Sequence, residues 1–236
     1  MKKRTKRILI ILSPVLIILI VIVVLLFRYK DVVTSMSPAD TQAINDTVFC
    51  IKDSYVNAYL FKTKEGYLMF DAGNNESRML DEMANLGIDP LEITMLLLTH
   101  SDGDHIDAIG SLDNAEIYMH REEKQMVDGT TERLGSIRDW KFGDFKLFDS
   151  DQVLEIGNLS IKVVYTPGHT PGSCCFIINN KYFVTGDNLF VTDGKYTPFI
   201  EEYTMNPKLN SASISKLPPP EDFEYILTGH GGIWRK

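Results

Sequence analysis

The stretch Leu97-Leu98-Thr99-His100-Ser101-Asp102-Gly103-Asp104-His105 decides how this chain reads. It closes an apolar run, 93–99, whose continuous hydrophobicity suits a strand buried on both faces. Four side chains able to bind a metal, His100, Asp102, Asp104 and His105, then fall within six residues, where the backbone turns and can aim them at one point. A lone histidine is usually structural, but this cluster at a strand's end is not lone. Three further candidates stand in the same local setting, each just after an apolar run. They are His169 in Tyr165-Thr166-Pro167-Gly168-His169-Thr170-Pro171-Gly172, Asp187 in Val184-Thr185-Gly186-Asp187-Asn188, and His230 in Leu227-Thr228-Gly229-His230. Flanking glycines leave the backbone free to present each ligand without obstruction.

Outward from this stretch, short apolar runs alternate with turn signals. Runs at 47–51, 55–61 and 67–71 read as strands, the last ending in Asp71-Ala72-Gly73. Met79, Leu80, Met83 and Leu86 recur at helical spacing over 76–86, and Gly87 stops that helix. A short helix from His105, a strand at 116–119 and a helix at 120–127 follow, and the polar segment 128–140 reads as a loop. A second series of strands is predicted at 145–148, 159–165, 174–178 and 182–185. A helix over 206–217, stopped by Pro218-Pro219-Pro220, precedes a last strand at 225–227. Strands alternating with helices in both halves predict an α/β domain of packed sheets flanked by helices.

Taken together, these motifs resemble the metallo-β-lactamase superfamily, whose pattern is His-x-His-x-Asp-His followed by later His, Asp and His, with an earlier Asp ending a strand. The resemblance covers about 47–232 and implies an αββα sandwich. Carried over position by position, it implies that His100, Asp102 and His169 bind one metal ion and that Asp104, His105 and His230 bind a second. Asp187 would bridge the two, and Asp71 would support them from behind by fixing the motif loop or a histidine tautomer. Imidazole and carboxylate suit zinc, and two ions about 3.5–4 Å apart can share a water, lower its pKa and clamp an attack on a carbonyl or phosphorus. Asp104 would orient that hydroxide as well as bind metal, which makes it the implied catalytic residue. No organic cofactor is implied.

Two positions depart from the family pattern. Asp102 stands where the family usually has histidine, so a harder oxygen replaces a nitrogen. The expectation is therefore zinc, one ion or two, with iron or manganese as the alternatives. Asp107 replaces a usual glycine and adds a carboxylate near the site. Asp187, where zinc β-lactamases carry cysteine, argues against β-lactamase activity. The 165–173 segment looks like the glyoxalase-II-like and lactonase-like branches, and the expected reaction is hydrolysis of a small-molecule ester, thioester or lactone. The alternatives are phosphodiester hydrolysis on the same fold, a di-iron redox protein, and a non-catalytic binding domain. Specificity is expected in the loops 128–144 and 188–205, where Tyr196 and Tyr203 are candidate substrate contacts. His120 falls outside the ligand set, as a surface residue or a support to it.

The N-terminus follows a separate logic. Lys2, Lys3, Arg4, Lys6 and Arg7 precede an apolar run at 8–27, and Arg28 and Lys30 follow it. Twenty helical residues reach roughly 30 Å, the thickness of a bilayer core, and exceed the short apolar region of a cleaved signal peptide. The excess of basic residues before the run puts the N-terminus in the cytoplasm. The expected organisation is a basic cytoplasmic tail at 1–7, a single-pass transmembrane anchor at 8–27, a linker at 28–45 and an extracytoplasmic hydrolase domain at 46–236. The whole chain carries 24 Lys+Arg against 32 Asp+Glu. Seven basic and no acidic residues fall in 1–30, which leaves 17 against 32, a net −15, for the remainder. So acidic a domain argues against nucleic acid as a partner and favours a small molecule. Cys50, Cys174 and Cys175 form no C-x-x-C pair, and the adjacent two sit in an apolar run, so buried strand positions are expected for them rather than a nucleophile.

Overall fold

The computed structural model of the chain describes residues 14–24, 26, 36–133 and 140–236. Residues 14–24 and 26 are helical, and among the described residues no helix is long and apolar enough to cross a membrane. The basic tail expected at 1–7, the rest of the 8–27 span and the linker as far as residue 35 lie outside the described residues.

Residues 37–236 form one compact unit. Its beginning differs from the sequence expectation, because residues 37–45, assigned there to a linker, are built into the domain. Ser37 N donates to His230 O at 2.8 Å, Ala39 N to Asn57 Oδ1 at 2.8 Å, and the short strand β1 (Gln42–Ala43) pairs antiparallel with β2 (Val48–Asp53). With β3 (Val56–Thr63), β4 (Gly66–Phe70), β5 (Ile93–Leu97), β6 (Glu116–His120) and β7 (Lys146–Phe148) they form a seven-stranded sheet in chain order. The strands from β4 to β7 run parallel, with the helix Glu76–Asn85 in the β4–β5 crossover.

The second sheet has six strands. Four come first in the chain: β8 (Val153–Ile156), β9 (Leu159–Tyr165), β10 (Cys174–Ile178) and β11 (Tyr182–Gly186). The chain then leaves for a separate hairpin of β12 (Leu189–Thr192) and β13 (Lys195–Pro198), and returns through the helix Pro207–Ile214 to β14 (Tyr225–Thr228) and β15 (Ile233–Arg235). Strand β14 lies parallel to β11. Strands β1, β8 and β15 and the β12–β13 hairpin carry no run long enough to stand out in the sequence.

Side chains sort by the two-residue period of the strands. In β4, Leu68 and Phe70 enter the core between the sheets, whereas Tyr67 and Met69 face the outer core with Met79 and Met83 of the helix Glu76–Asn85. In β10, Cys174, Phe176 and Ile178 point between the sheets, and Cys175 and Ile177 pack outward with Phe183, Phe223 and Ile226. Both sheets thus carry a second buried face, the layering of an αββα sandwich. All three cysteines are buried and free, and burial pushes the thiols of Cys50 and Cys175 up to about 12. None is a thiolate nucleophile near neutral pH.

Phe176 joins the sheets, its ring 5.0 Å from that of Phe70 and 5.6 Å from that of Phe148. Phe176→Ala should cost about 3–5 kcal/mol of stability. Urea unfolding followed by circular dichroism checks this, and a loss under about 1 kcal/mol would mean that the inter-sheet core is not packed as described.

Candidate metal centre

Parallel strands share their C-terminal ends, and the chain spends those ends on the site. Asp71 follows β4, the 99–105 stretch follows β5, Asp187 follows β11 and His230 follows β14. His169 sits in the β9–β10 connection, where Cys174 N donates to Thr99 O at 3.0 Å and so binds the two sheets at this end. Gly186 has φ +52, and a Cβ there would lie 2.3 Å from Thr99 Oγ1, so only glycine lets the β11 end come this close to the β5 end.

Each imidazole except that of His169 has its outer nitrogen tied down. His105 Nδ1 is 2.9 Å from Asp71 Oδ2, His100 Nδ1 is 3.0 Å from Thr99 Oγ1, and His230 Nδ1 donates to Tyr55 O at 2.6 Å. Thr99 Oγ1 donates to Asp71 Oδ2 at 2.8 Å, so it must accept from His100. With Nδ1 as the donor, Nε2 is left with its lone pair facing inward, as a metal ligand requires.

The inward atoms form two groups that share one carboxylate. Asp104, His105, Asp187 and His230 offer four donor atoms within 4.8 Å of one another, and His100, His169 and Asp187 offer three. Asp187 is central: Oδ1 is 3.1 Å from His105 Nε2, and Oδ2 lies 3.0, 3.6 and 3.8 Å from Nε2 of His230, His169 and His100. Asp104 Oδ2 is 3.4 Å from His230 Nε2. Asp102 stands at the edge of the second group, Oδ2 3.2 Å from His169 Nε2 and 3.6 Å from His100 Nε2. All eight residues singled out in the sequence therefore meet at one place, seven as inward-facing donors and Asp71 behind them.

A cation fits this cluster. Nε2 of His100 and of His105 and Oδ1 of Asp187 are buried without a hydrogen-bond partner, a costly state that a metal bond would relieve. The electrostatics agree. Burial alone would raise the carboxyls of Asp102, Asp104 and Asp187, yet the facing imidazoles hold all three below the usual carboxylate range. The carboxylates act back on the imidazoles: burial would lower His105 and His230, but Asp187 and its neighbours push His105 well up and His230 up to about 10. His100 goes the other way, pushed down by burial and by the neighbouring His105, so in the absence of an ion it is His105 and His230 that hold protons.

Glu123 has no signal in the sequence, where it reads as one more charge on the predicted 120–127 helix. The structure instead ends β6 at His120 and places Glu123 at the close of a single 3-10 turn, fully buried. Its carboxylate accepts from Ser101 N at 2.7 Å, Ser101 Oγ at 2.6 Å, Thr170 Oγ1 at 2.7 Å and Gly172 N at 3.0 Å. It thereby clamps the loop of His100 and Asp102 to the loop of His169. Burial raises its carboxyl, but four donors suit the ionised form.

Three sequence readings need correction. Asp107 is not a site carboxylate, because its Oδ2 accepts from Glu76 N at 3.2 Å at the start of the helix Glu76–Asn85. His120 is neither exposed nor at the site; it stacks on Tyr165 with rings 4.3 Å apart, and its Nε2 meets Ser150 Oγ at 3.1 Å. Tyr196 spends its hydroxyl on Pro218 O at 2.9 Å, a structural bond. From the 188–205 segment it is Phe199 that reaches the site, its ring 5.3 Å from His230 and 5.1 Å from His169, while Tyr55 stacks on the first of these at 5.7 Å.

The sequence profile of the metallo-β-lactamase superfamily matches residues 51–230. The probable metallo-hydrolase YqgX of Bacillus subtilis (strain 168) is 31% identical over 189 residues, covering 74% of this chain and 84% of that one. The hydroxyacylglutathione hydrolase GloC of Haemophilus influenzae is 28% identical over 173 residues, covering 69% of this chain and 79% of that one. Among solved structures, BJP-1, a subclass B3 metallo-β-lactamase of Bradyrhizobium japonicum, superposes with a TM-score of 0.64 at 15% identity over 83% of this chain and 79% of that one, a likeness of fold alone.

Two outcomes follow from the geometry. Because His230 holds its proton up to about pH 10 in the metal-free cluster, uptake of an ion at neutral pH should release protons and strengthen as pH rises. Calorimetric titration with zinc in buffers of different ionisation enthalpy reads this, and equal heats in all buffers would refute it. Glu123→Gln turns an amide N–H toward one of the donors, and should cost about 1–3 kcal/mol in a thermal or urea melt and hasten loss of metal to a chelator. Unchanged stability and release would leave Glu123 without the clamping role.

Proposed function

Because this chain is a metallo-hydrolase belonging to the metallo-β-lactamase superfamily, we propose that it hydrolyses an ester, thioester or lactone of a small molecule outside the cell, tethered through residues 8–27. The observation that carries the chemistry is the donor cluster itself, three carboxylates and four inward imidazole nitrogens around Asp187. That set of nitrogen and oxygen donors suits zinc, with iron or manganese as alternatives where Asp102 contributes oxygen. When bound, a divalent ion supplies Lewis acidity, polarising a carbonyl and making water acidic enough to lose a proton near neutral pH.

The chain's own residues do the rest. Asp104 has the most open side chain of the second donor group, 20% exposed against 4% or less for its partners, and a Cβ at neighbouring Gly103 would meet nothing within 4 Å. Substrate enters on this side, and Asp104 Oδ2 takes the proton of the attacking water and returns it to the leaving group. Phe199 and Tyr55 wall the cluster behind His230 and His169 and keep water from that flank.

The substrate class draws on three supports. The family resemblance implies that Asp187 takes the position where zinc β-lactamases carry a cysteine ligand, the relative GloC is a hydroxyacylglutathione hydrolase, and the acidic domain disfavours polyanions such as nucleic acid. The anchor rests on the length of the 8–27 run and its basic flanks.

The zinc-loaded chain should hydrolyse at least one of an S-acylglutathione, an acyl homoserine lactone and an aryl ester, lose that activity to a chelator and regain it with zinc. Asp104→Asn should lower kcat/KM by about 10²–10⁴-fold. No turnover of any of the three substrates by the loaded protein would sink the substrate class, and full activity in Asp104→Asn would sink the role of that carboxylate.

A further inference from the structure

The two donor groups are not equivalent, and Arg133 stands at the one with fewer donors. Its side chain is 9% exposed, and Nη2 stands 2.9 Å from Asp102 Oδ2 and 3.5 Å from His169 Nε2. Nη1 donates to His169 O at 2.8 Å, and Nη2 also donates to Tyr203 O. Backbone carbonyls from two different loops therefore hold the guanidinium on the carboxylate that replaces the usual histidine. Arginine keeps its proton under all conditions in a protein, so this is a permanent cation.

Asp102 thus already has a cationic partner on the oxygen that faces the histidines of the first donor group. A second divalent ion would stand against a fixed like charge. The donor count points the same way. With the shared Asp187 counted in both, the group of Asp104, His105 and His230 has four donors and the group of His100 and His169 has three. Its fourth candidate, Asp102 Oδ2, is the oxygen that Arg133 Nη2 holds.

We infer that Arg133 is the resident cation of the first donor group: it holds Asp102, and the chain carries one tightly bound divalent ion, at Asp104, His105, Asp187 and His230. A second ion competes with Arg133 for Asp102 and binds weakly. Arg133 acts through Asp102 and is a positioning residue, not a catalytic one. The inference rests on the metallohydrolase reading above.

The test is stoichiometry. Metal-free full-length protein is titrated with cobalt(II) while its visible absorption is followed, and in parallel it is loaded with zinc, freed of excess by gel filtration and analysed for zinc per chain. The wild type should saturate at one equivalent. Arg133→Met should continue to two, its second site tightened about tenfold or more. Asp102→Asn should still hold one, because the tight ion does not use Asp102, and this variant keeps the test alive if Arg133→Met fails to fold. Two tight ions in the wild type, one ion in a folded Arg133→Met, or none in Asp102→Asn would each overturn the inference while leaving a metallohydrolase. No ion in the wild type would overturn the metallohydrolase reading, and this inference with it.

Discussion

The carboxylate of Asp71 is the point from which the site is built. It accepts from Thr99 N and Thr99 Oγ1, both at 2.8 Å, and meets His105 Nδ1 at 2.9 Å. One side chain at the end of β4 thus fixes where the β5 strand stops, sets the rotamer of the threonine that holds His100, and selects the tautomer of His105. The residue adopts φ 59, a left-handed conformation that aspartate tolerates better than most side chains. That local cost is offset by the three bonds, all of them buried, where a hydrogen bond to a charged group is strong.

Glu123 performs the corresponding task for the other half of the site. Asp71 works within the first sheet, between neighbouring strands, whereas Glu123 reaches from the first sheet to the Pro-Gly-rich turn that carries His169. Gly172 shows how tight this joint is, since a Cβ there would lie 2.1 Å from Glu123 N. Two buried acids of different origin therefore hold the ligands from behind, and neither faces the reacting centre.

What could be read from the sequence followed from what each feature leaves in a linear string. The 93–99 run, the paired glycines and the histidines are local, so β5, the strands flanking it and the inward donors were legible. Strand β1 was not, because Gln42-Ala43 is a two-residue edge strand held by pairing with β2 and by nearby bonds to Asn57 and His230. Phe199 was missed for a different reason. It looks like any loop aromatic, and its place over His169 and His230 depends on a hairpin whose residues are only partly apolar. Glu123 and Arg133 mark the limit of such reading. A buried charge is defined by its partners, and those partners lie 22 to 49 residues away along the chain for the glutamate and 36 to 70 for the bonds of the arginine to backbone carbonyls.

Neither donor group belongs to one sheet. His100, Asp104 and His105 come from the first, and His169, Asp187 and His230 from the connections of the second. An ion bound here acts as a rivet through a two-layer laminate at the single edge where the layers are exposed to substrate. Neither the early nor the late half of the chain supplies a whole donor group. Occupancy of the centre is therefore a report that the layers have docked. The same bonds that poise the reaction keep the seam closed at the edge where the loops are longest and the sheet hydrogen bonds end.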